Sequence, residues 1–245
     1  MAISGIKSRL KQWLLGPIEL CSDTPPLTRW GLRVRLKLRR LSLQIQGPDN
    51  AIHIGANSSI ECAIRIVGSG NRIRIGSDCY FTQTTIDVVS DRSTIDIGDG
   101  TAICGNHMGY SHLLAKGTGT EIHIGKSCLI SYGIDARTTD SHSIRSTLDE
   151  RLINPPKNIR IGDHVWVGAR TMILKGAIVG DGSIIGAGSI VTKPIASNVL
   201  AVGQPAREIR SNIRWELDPP EAGAEVGSQP VASNGPSISR QSGSE

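Results

Sequence analysis

From residue 161 to residue 195 the chain places a β-branched aliphatic at every sixth position: Ile161, Val167, Ile173, Val179, Ile185 and Val191. Four residues after each anchor stands a mostly small side chain, at Val165, Thr171, Ala177, Ser183, Ser189 and Ile195, and Gly follows four of the anchors directly, at 162, 168, 180 and 186. An amphipathic helix needs an apolar residue roughly every 3.6 positions. A period of six with small side chains and Gly corners predicts short strands joined by tight turns, wound as a solenoid.

The pattern continues towards the N-terminus as a four-residue signature, aliphatic-any-aliphatic-Gly, at 52–55, 73–76, 95–98, 122–125 and 159–162, marking the same corner of successive coils. The anchors Ile54, Ile75, Ile97, Ile124, Ile161 and Val179 are separated by 21, 22, 27, 37 and 18 residues. Three hexapeptides make one coil, so the excess grows along the chain and then stops. The two largest insertions are expected at 106–119 and 143–157, and loops bulging from a regular scaffold are where function is usually placed. Six coils spaced about 4.8 Å apart predict a prism about 30 Å tall.

The ends follow other patterns. Ile3, Ile6, Leu10, Trp13 and Leu14 share one face at helical spacing, with Lys7, Arg9 and Lys11 elsewhere, which predicts a short basic amphipathic helix over 1–15. Residues 32–38 alternate Leu, Arg, Val, Arg, Leu, Lys, Leu, the period of a strand with one cationic face. One reading is a capping helix and an edge strand kept soluble by charge; the other is peripheral docking to an anionic membrane surface. From Asp218 onward Pro, Gly, Ser and Glu leave little to bury, predicting a disordered tail. The expected division is a basic N-terminal segment (1–45), a solenoid (46–210) and a mostly disordered C-terminal extension (211–245).

Composition changes the picture in a few places. Aromatic residues make up only 3% of the 245 residues, so the core must be aliphatic, as stacked coils require. Of five Cys, Cys79 and Cys128 fall four residues after the anchors Ile75 and Ile124, where they read as small core fillers and not as disulfides. No apolar run approaches the roughly 20 residues of a membrane span and no secretory leader pattern is present, so a cytoplasmic location is expected, at the inner membrane face if the N-terminal segment docks. The net charge of +5 comes without a recognition motif or interleaved aromatics, so nucleic acid is not an expected partner.

The run Ile159-Arg-Ile-Gly-Asp-His-Val-Trp-Val-Gly-Ala-Arg170, with Ile185-Gly-Ala-Gly-Ser-Ile-Val-Thr-Lys193 and Val202-Gly-Gln-Pro-Ala-Arg207, resembles the hexapeptide-repeat acyltransferases over residues 52–210. The resemblance implies an all-β solenoid, a left-handed parallel β-helix with loop insertions, assembled as a homotrimer that holds acetyl-CoA between neighbouring prisms. Thr139-Asp-Ser-His-Ser-Ile144, Asn154-Pro and Gly162-Asp-His-Val-Trp166 are similar to the branch that O-acetylates sugars and polysaccharides, including sialic-acid capsules.

Acetyl transfer from a thioester to an alcohol needs a base for the hydroxyl proton, and a neutral imidazole suits that task. His142 opens the largest insertion, 20 residues before Gly162, and matches the family's catalytic His. Asp140 is the first candidate to orient its ring, with Glu150 as the rival. Trp166, 24 residues after His142, matches an active-site Trp of the sialic-acid O-acetyltransferases; the alternative is packing between subunits. The resemblance also places CoA contacts at Ala169, Ala187, Thr192, Lys193, Arg207 and Arg210, small residues against the pantetheine and cations against the phosphates. Asn106, His107, Tyr110, His112 and Arg137 are expected on the acceptor side.

The function so implied is acetyl-CoA-dependent O-acetylation of a sugar hydroxyl in a surface polysaccharide or its precursor, with no metal. The runner-up is N-acetylation of an amino sugar or nucleotide sugar. Two other classes use the same solenoid. A zinc carbonic anhydrase would need a third ligand beside His107 and His112, for which His53 is poorly placed; a noncatalytic scaffold would not need His142, Trp166 and the CoA-side motifs.

Overall fold

A computed structural model describes residues 37–217 and the two-residue strand Ile18–Glu19. The helix expected over 1–15, most of the alternating segment 32–38 and the tail from Asp218 lie outside the described residues. The rest of the described chain is strands and turns, with no helix long and apolar enough to cross a membrane.

The chain winds as a left-handed parallel β-helix. One face is a seven-stranded parallel sheet, in the order Ile18–Glu19, Ala51–Ile54, Arg72–Ile75, Thr94–Ile97, Glu121–Ile124, Ile159–Ile161 and Ile178–Val179. The other two faces are the arms of one larger sheet, because Tyr80–Val89 runs along both and pairs with Ala102–Cys104 on the second face and Ser111–Lys116 on the third. Leu129–Ile130, Trp166–Val167, Ile184–Ile185 and Leu200–Gly203 continue the second face; Asp135–Arg137, Met172–Leu174 and Ile190–Val191 continue the third.

Register explains the hexapeptide period. Ile54, Ile75, Ile97, Ile124, Ile161 and Val179 stack in line on the first face. Phe81, Ile103, Ile130, Val167, Ile185 and Ala201 stack on the second, and Ile86, Leu113, Ala136, Ile173 and Val191 on the third. All are buried. Burying each large aliphatic contributes roughly 1.5–3 kcal/mol, so the ladder is the main stabilising term. Cys79 and Cys128 fill inward corner positions as free thiols, each Sγ donating to a carbonyl of the next coil, at Gly98 (3.3 Å) and Gly162 (3.1 Å).

Where Gly follows an anchor, the next coil comes too close for a Cβ. At Gly162 that carbon would lie 2.0 Å from Asp181 Oδ1, the atom that accepts the Asp163 amide at 2.8 Å. Gly125 meets Asp163 Oδ1 in the same way, and that oxygen accepts the Lys126 amide. The Gly-Asp pairs are therefore one device: the carboxylate of one coil caps an amide of the coil before it, in space that only Gly leaves open.

Two features differ from the sequence reading. The segment 106–119 is not one insertion: a tight turn closed by the Asn106–Gly109 bridge leads into Ser111–Lys116, a strand of the third face. Here and at 84–89 the third face uses six-residue strands, and three residues in the later coils, so part of the excess length is sheet. The described strand Lys37–Gln46, which takes in the end of the alternating segment 32–38, pairs in parallel along Ser59–Val67. At the other end Ala206–Arg210 turns back antiparallel on Leu200–Gly203.

Candidate functional site

The insertion that carries His142 leaves the third face after Asp135–Arg137 and returns to the first at Ile159–Ile161. Its outer part is a small hairpin: Arg145 bridges Leu152, the Ile153 amide donates to the Ile144 carbonyl at 2.9 Å, and the Ser146 amide to the Arg151 carbonyl at 3.0 Å. Glu150 belongs to the far turn, where its amide donates to Ser146 and its carbonyl accepts Arg145 Nη1.

Asn154 ties the base of this hairpin together. Its Nδ2 donates to the His142 carbonyl at 2.8 Å and to Asp140 Oδ2 at 2.9 Å, and its Oδ1 accepts the Ile144 amide at 2.6 Å. Lys175, from the turn one coil later, donates to the Asn154 carbonyl at 3.0 Å and to the Asp140 carboxylate. Hydrogen bonds from Lys175 and then Asn154 hold the Asp140 carboxyl below the usual carboxylate range. Asp140 thus fixes the loop that presents His142, through Asn154 and Lys175, where sequence reasoning assigned it to the ring itself. The His142 side chain is exposed.

Trp166 stands on the second face, outward between Leu129 and Ile184 of the neighbouring coils, and is 39% exposed. His142 follows the third face, so within one chain the two lie on different parts of the prism. Ala169 and Ala187 occupy equivalent places one coil apart, linked by the Gly188 amide donating to the Ala169 carbonyl at 2.8 Å. Thr192 and Lys193 are exposed just after the third-face strand Ile190–Val191, and Arg207 and Arg210 are exposed on the returning strand Ala206–Arg210.

The acceptor-side candidates separate into two groups. Asn106, His107 and Tyr110 form the turn between the second and third faces, with Asn106 Oδ1 accepting the Met108 amide at 2.8 Å and Tyr110 70% exposed. Tyr110 also lines a shallow groove with Glu61, Gln83 and Thr85. His112 and Arg137 instead belong to a charge ladder across the third face. Arg65 Nε donates to Asp87 at 3.0 Å, His112 Nε2 lies 3.1 Å from the same carboxylate, and Asp135 binds Arg137. Burial pushes the Asp87 carboxyl up, but the hydrogen bonds from Arg65 and His112 outweigh it and hold the group below its usual range. His112 joins neighbouring coils, while Arg137 pairs within its own strand.

Sequence reasoning missed His164 and Trp215. The Trp215 ring is stacked on His164, with centroids 4.2 Å apart and planes 5° from parallel, and lies 6.1 Å from the Trp166 ring. The buried thiols are not alternative nucleophiles: burial pushes Cys62 up to about 12 and Cys128 up to about 11, which keeps both protonated.

The family profile described as bacterial transferase hexapeptide (six repeats) matches residues 158–193, the coils that carry Trp166, Ala169 and Ala187. The polysialic acid O-acetyltransferase of Neisseria meningitidis is 30% identical over 148 residues, covering 54% of this chain and 68% of that protein. The polysialic acid O-acetyltransferase of Escherichia coli O1:K1 is 43% identical over 94 residues, 38% of this chain, and the match spans only 31% of that longer protein. The crystal structure of the polysialic acid O-acetyltransferase OatWY superposes with a TM-score of 0.65 at 25% identity, over 75% of this chain and 91% of that one. The repeat, its register and the relatives that share them agree: the chain belongs to the hexapeptide-repeat transferases, a family of left-handed β-helix acyltransferases.

Proposed function

We propose that the protein transfers an acetyl group from acetyl-CoA to a hydroxyl of a sugar in a surface polysaccharide or its precursor, with His142 as general base. The observation that carries this reading is the presentation of His142: an exposed imidazole at the foot of an insertion whose base is locked by Asn154, Asp140 and Lys175. A reacting acceptor must find the ring in one place, and a ring on an unfixed loop would lose the advantage of orientation.

In the reaction, a neutral His142 nitrogen takes the acceptor hydroxyl proton as the oxygen attacks the thioester carbonyl. The resulting oxyanion collapses with loss of CoA thiolate, and the imidazolium returns the proton to that sulfur. Trp166 offers an aromatic face and one N–H donor to the sugar or the pantetheine arm. Ala169 and Ala187 present a shallow surface against which the arm can lie, and Lys193, Arg207 and Arg210 are exposed cations suited to its phosphates.

His142 and Trp166 diverge within one chain, so the reading requires that the site be completed between copies, in a homotrimer. The exposed apolar side chains at the insertion, Ile144, Leu148 (95% exposed) and Ile153, support such burial, as do Trp166 and Ile178 on the coil surface. The basic N-terminal segment suits a cytoplasmic enzyme that works at the inner membrane face.

The test is release of free thiol from acetyl-CoA by purified protein offered a panel of sugars, nucleotide sugars and polysaccharide fragments. Acceptor-dependent release is expected, and His142→Ala should lower turnover by about 10²–10⁴ while acetyl-CoA affinity stays nearly constant. An equal loss of CoA binding, or an unchanged rate, overturns the assignment of His142. Transfer to amines alone would move the reading to N-acetylation.

A further inference from the structure

Residues 211–215 carry no hexapeptide repeat, yet the structure brings them back onto the coil. The Ile213 amide donates to the Asn198 carbonyl at 3.0 Å, and two residues later Trp215 is only 7% exposed. Its Nε1 donates to the His164 carbonyl at 2.8 Å, its ring lies flat on the His164 ring, and its own carbonyl is 3.1 Å from His164 Nε2. His164 itself is held in the left-handed region, with φ 52°, and its amide donates to the Lys126 carbonyl at 2.7 Å. Three contacts therefore join two residues that are 51 apart in sequence, at a corner two positions before Trp166.

The Trp166 ring lies next to this arrangement. Its outward neighbours along the face, Leu129 and Ile184, stand above and below it in register. Trp215 stands beside it, 6.1 Å between centroids and tilted by 49°, within the range of an edge-to-face aromatic contact. Val165, between His164 and Trp166, is fully buried, so the corner that carries both rings is anchored in the core.

We propose that Trp215 is a positioning residue: seated on His164, it walls one side of the Trp166 indole and fixes the direction in which that ring faces the reacting groups. The segment that follows the last coil is then part of the active site. This rests on the reading that Trp166 touches the acceptor or the pantetheine arm. A misplacement of about 1 Å at a reacting centre can cost about a hundredfold in rate, so the loss of the wall has a visible kinetic effect.

The experiment pairs catalysis with a direct probe of the Trp166 ring. With Trp13→Phe and Trp30→Phe in place, Trp215→Phe and Trp215→Ala each leave Trp166 as the only tryptophan. Trp215→Phe keeps a ring on His164 and loses the N–H donor; Trp215→Ala loses both. The expected result is faster local depolarisation and greater acrylamide quenching of Trp166 in the Ala variant than in the Phe variant, and a kcat about tenfold or more lower in the Ala variant, with the KM for acetyl-CoA within about twofold. His164→Ala, with Trp215 present, should lower kcat in the same direction while the KM for acetyl-CoA stays within about twofold. Equal mobility of Trp166 in the Phe and Ala variants overturns the proposal whatever the rates are. A loosened Trp166 with unchanged kcat also overturns it, and Trp166→Ala then locates the fault: if that variant is fully active, the placement of Trp166 in the site has failed, while the contact with Trp215 stands. If Trp215→Ala does not fold, Trp215→Leu provides the ring-free comparison.

Discussion

Gly162 shows how one residue can set the spacing of two coils. A methyl group there would collide with Asp181 Oδ1 and approach the Asp181 backbone nitrogen to 2.9 Å. Gly162→Ala must therefore push the coils apart or displace the carboxylate that caps the Asp163 amide. An overpacked corner that also loses a charge-assisted hydrogen bond should cost about 1–3 kcal/mol, read as a lower midpoint in chemical denaturation. Ala169→Gly, one coil corner away at a partly exposed position, should change it little. The need for Gly at the corner was legible from the repeat itself. Its partnership with Asp was not, because Asp181 reaches Gly162 across a coil and the register that aligns them is a property of the winding.

At the scale of elements, the hairpin that begins after His142 depends on Asn154, a side chain 12 positions away that serves three partners at once. Asn154→Ala should free the foot of the hairpin and make Arg145 and Arg151 better targets for trypsin, by roughly tenfold in cleavage rate if the three bonds contribute about 1–1.5 kcal/mol net. Cleavage at an unchanged rate would mean that the hairpin holds itself together without its base. The sequence announced that an insertion existed here and that His142 opened it, through the excess over a three-hexapeptide coil and the family resemblance. The hairpin inside was illegible, since Arg145 and Leu152 carry no alternating pattern. The opposite error arose at Ser111–Lys116, whose side chains do alternate: a strand of six where the period allows three looks like an insertion when length alone is counted.

The whole molecule is held together across its coils by charge as well as by its aliphatic ladder. Asp87, between Arg65 and His112, links three successive turns of the third face. Its carboxyl is held below the unfolded value of about 3.9. A depressed folded pKa means that the stabilisation is fully present above the unfolded pKa and is lost as pH falls through the folded one. The difference in unfolding free energy between pH 7 and pH 3 should accordingly be smaller in Asp87→Asn than in the parent, with the variant the less stable of the two at pH 7. Equal pH dependence in the two proteins would show that the ladder is solvated and idle. His112 and Arg137 were expected at the acceptor because of their nearness in sequence to the insertion; what assigned them to the ladder is register, which adds up coils of unequal length and cannot be read from spacing. Trp215 was illegible for a related reason, as its partner is 51 residues away and belongs to a coil closed long before.

A parallel coil leaves its last strand with unpaired backbone groups, a template onto which another copy can add, and then another, since the contact does not close on itself. On the second face the chain answers this by reversing: Ala206–Arg210 runs antiparallel on Leu200–Gly203 and lines the new edge with Arg207, Glu208 and Arg210. The strand that carries Arg207 and Arg210 of the proposed cofactor contacts therefore also covers that edge against a second copy. A chain lacking residues 204–217 should form concentration-dependent fibrils, visible as rising light scattering and a cross-β reflection near 4.8 Å, where the intact protein stays in discrete particles.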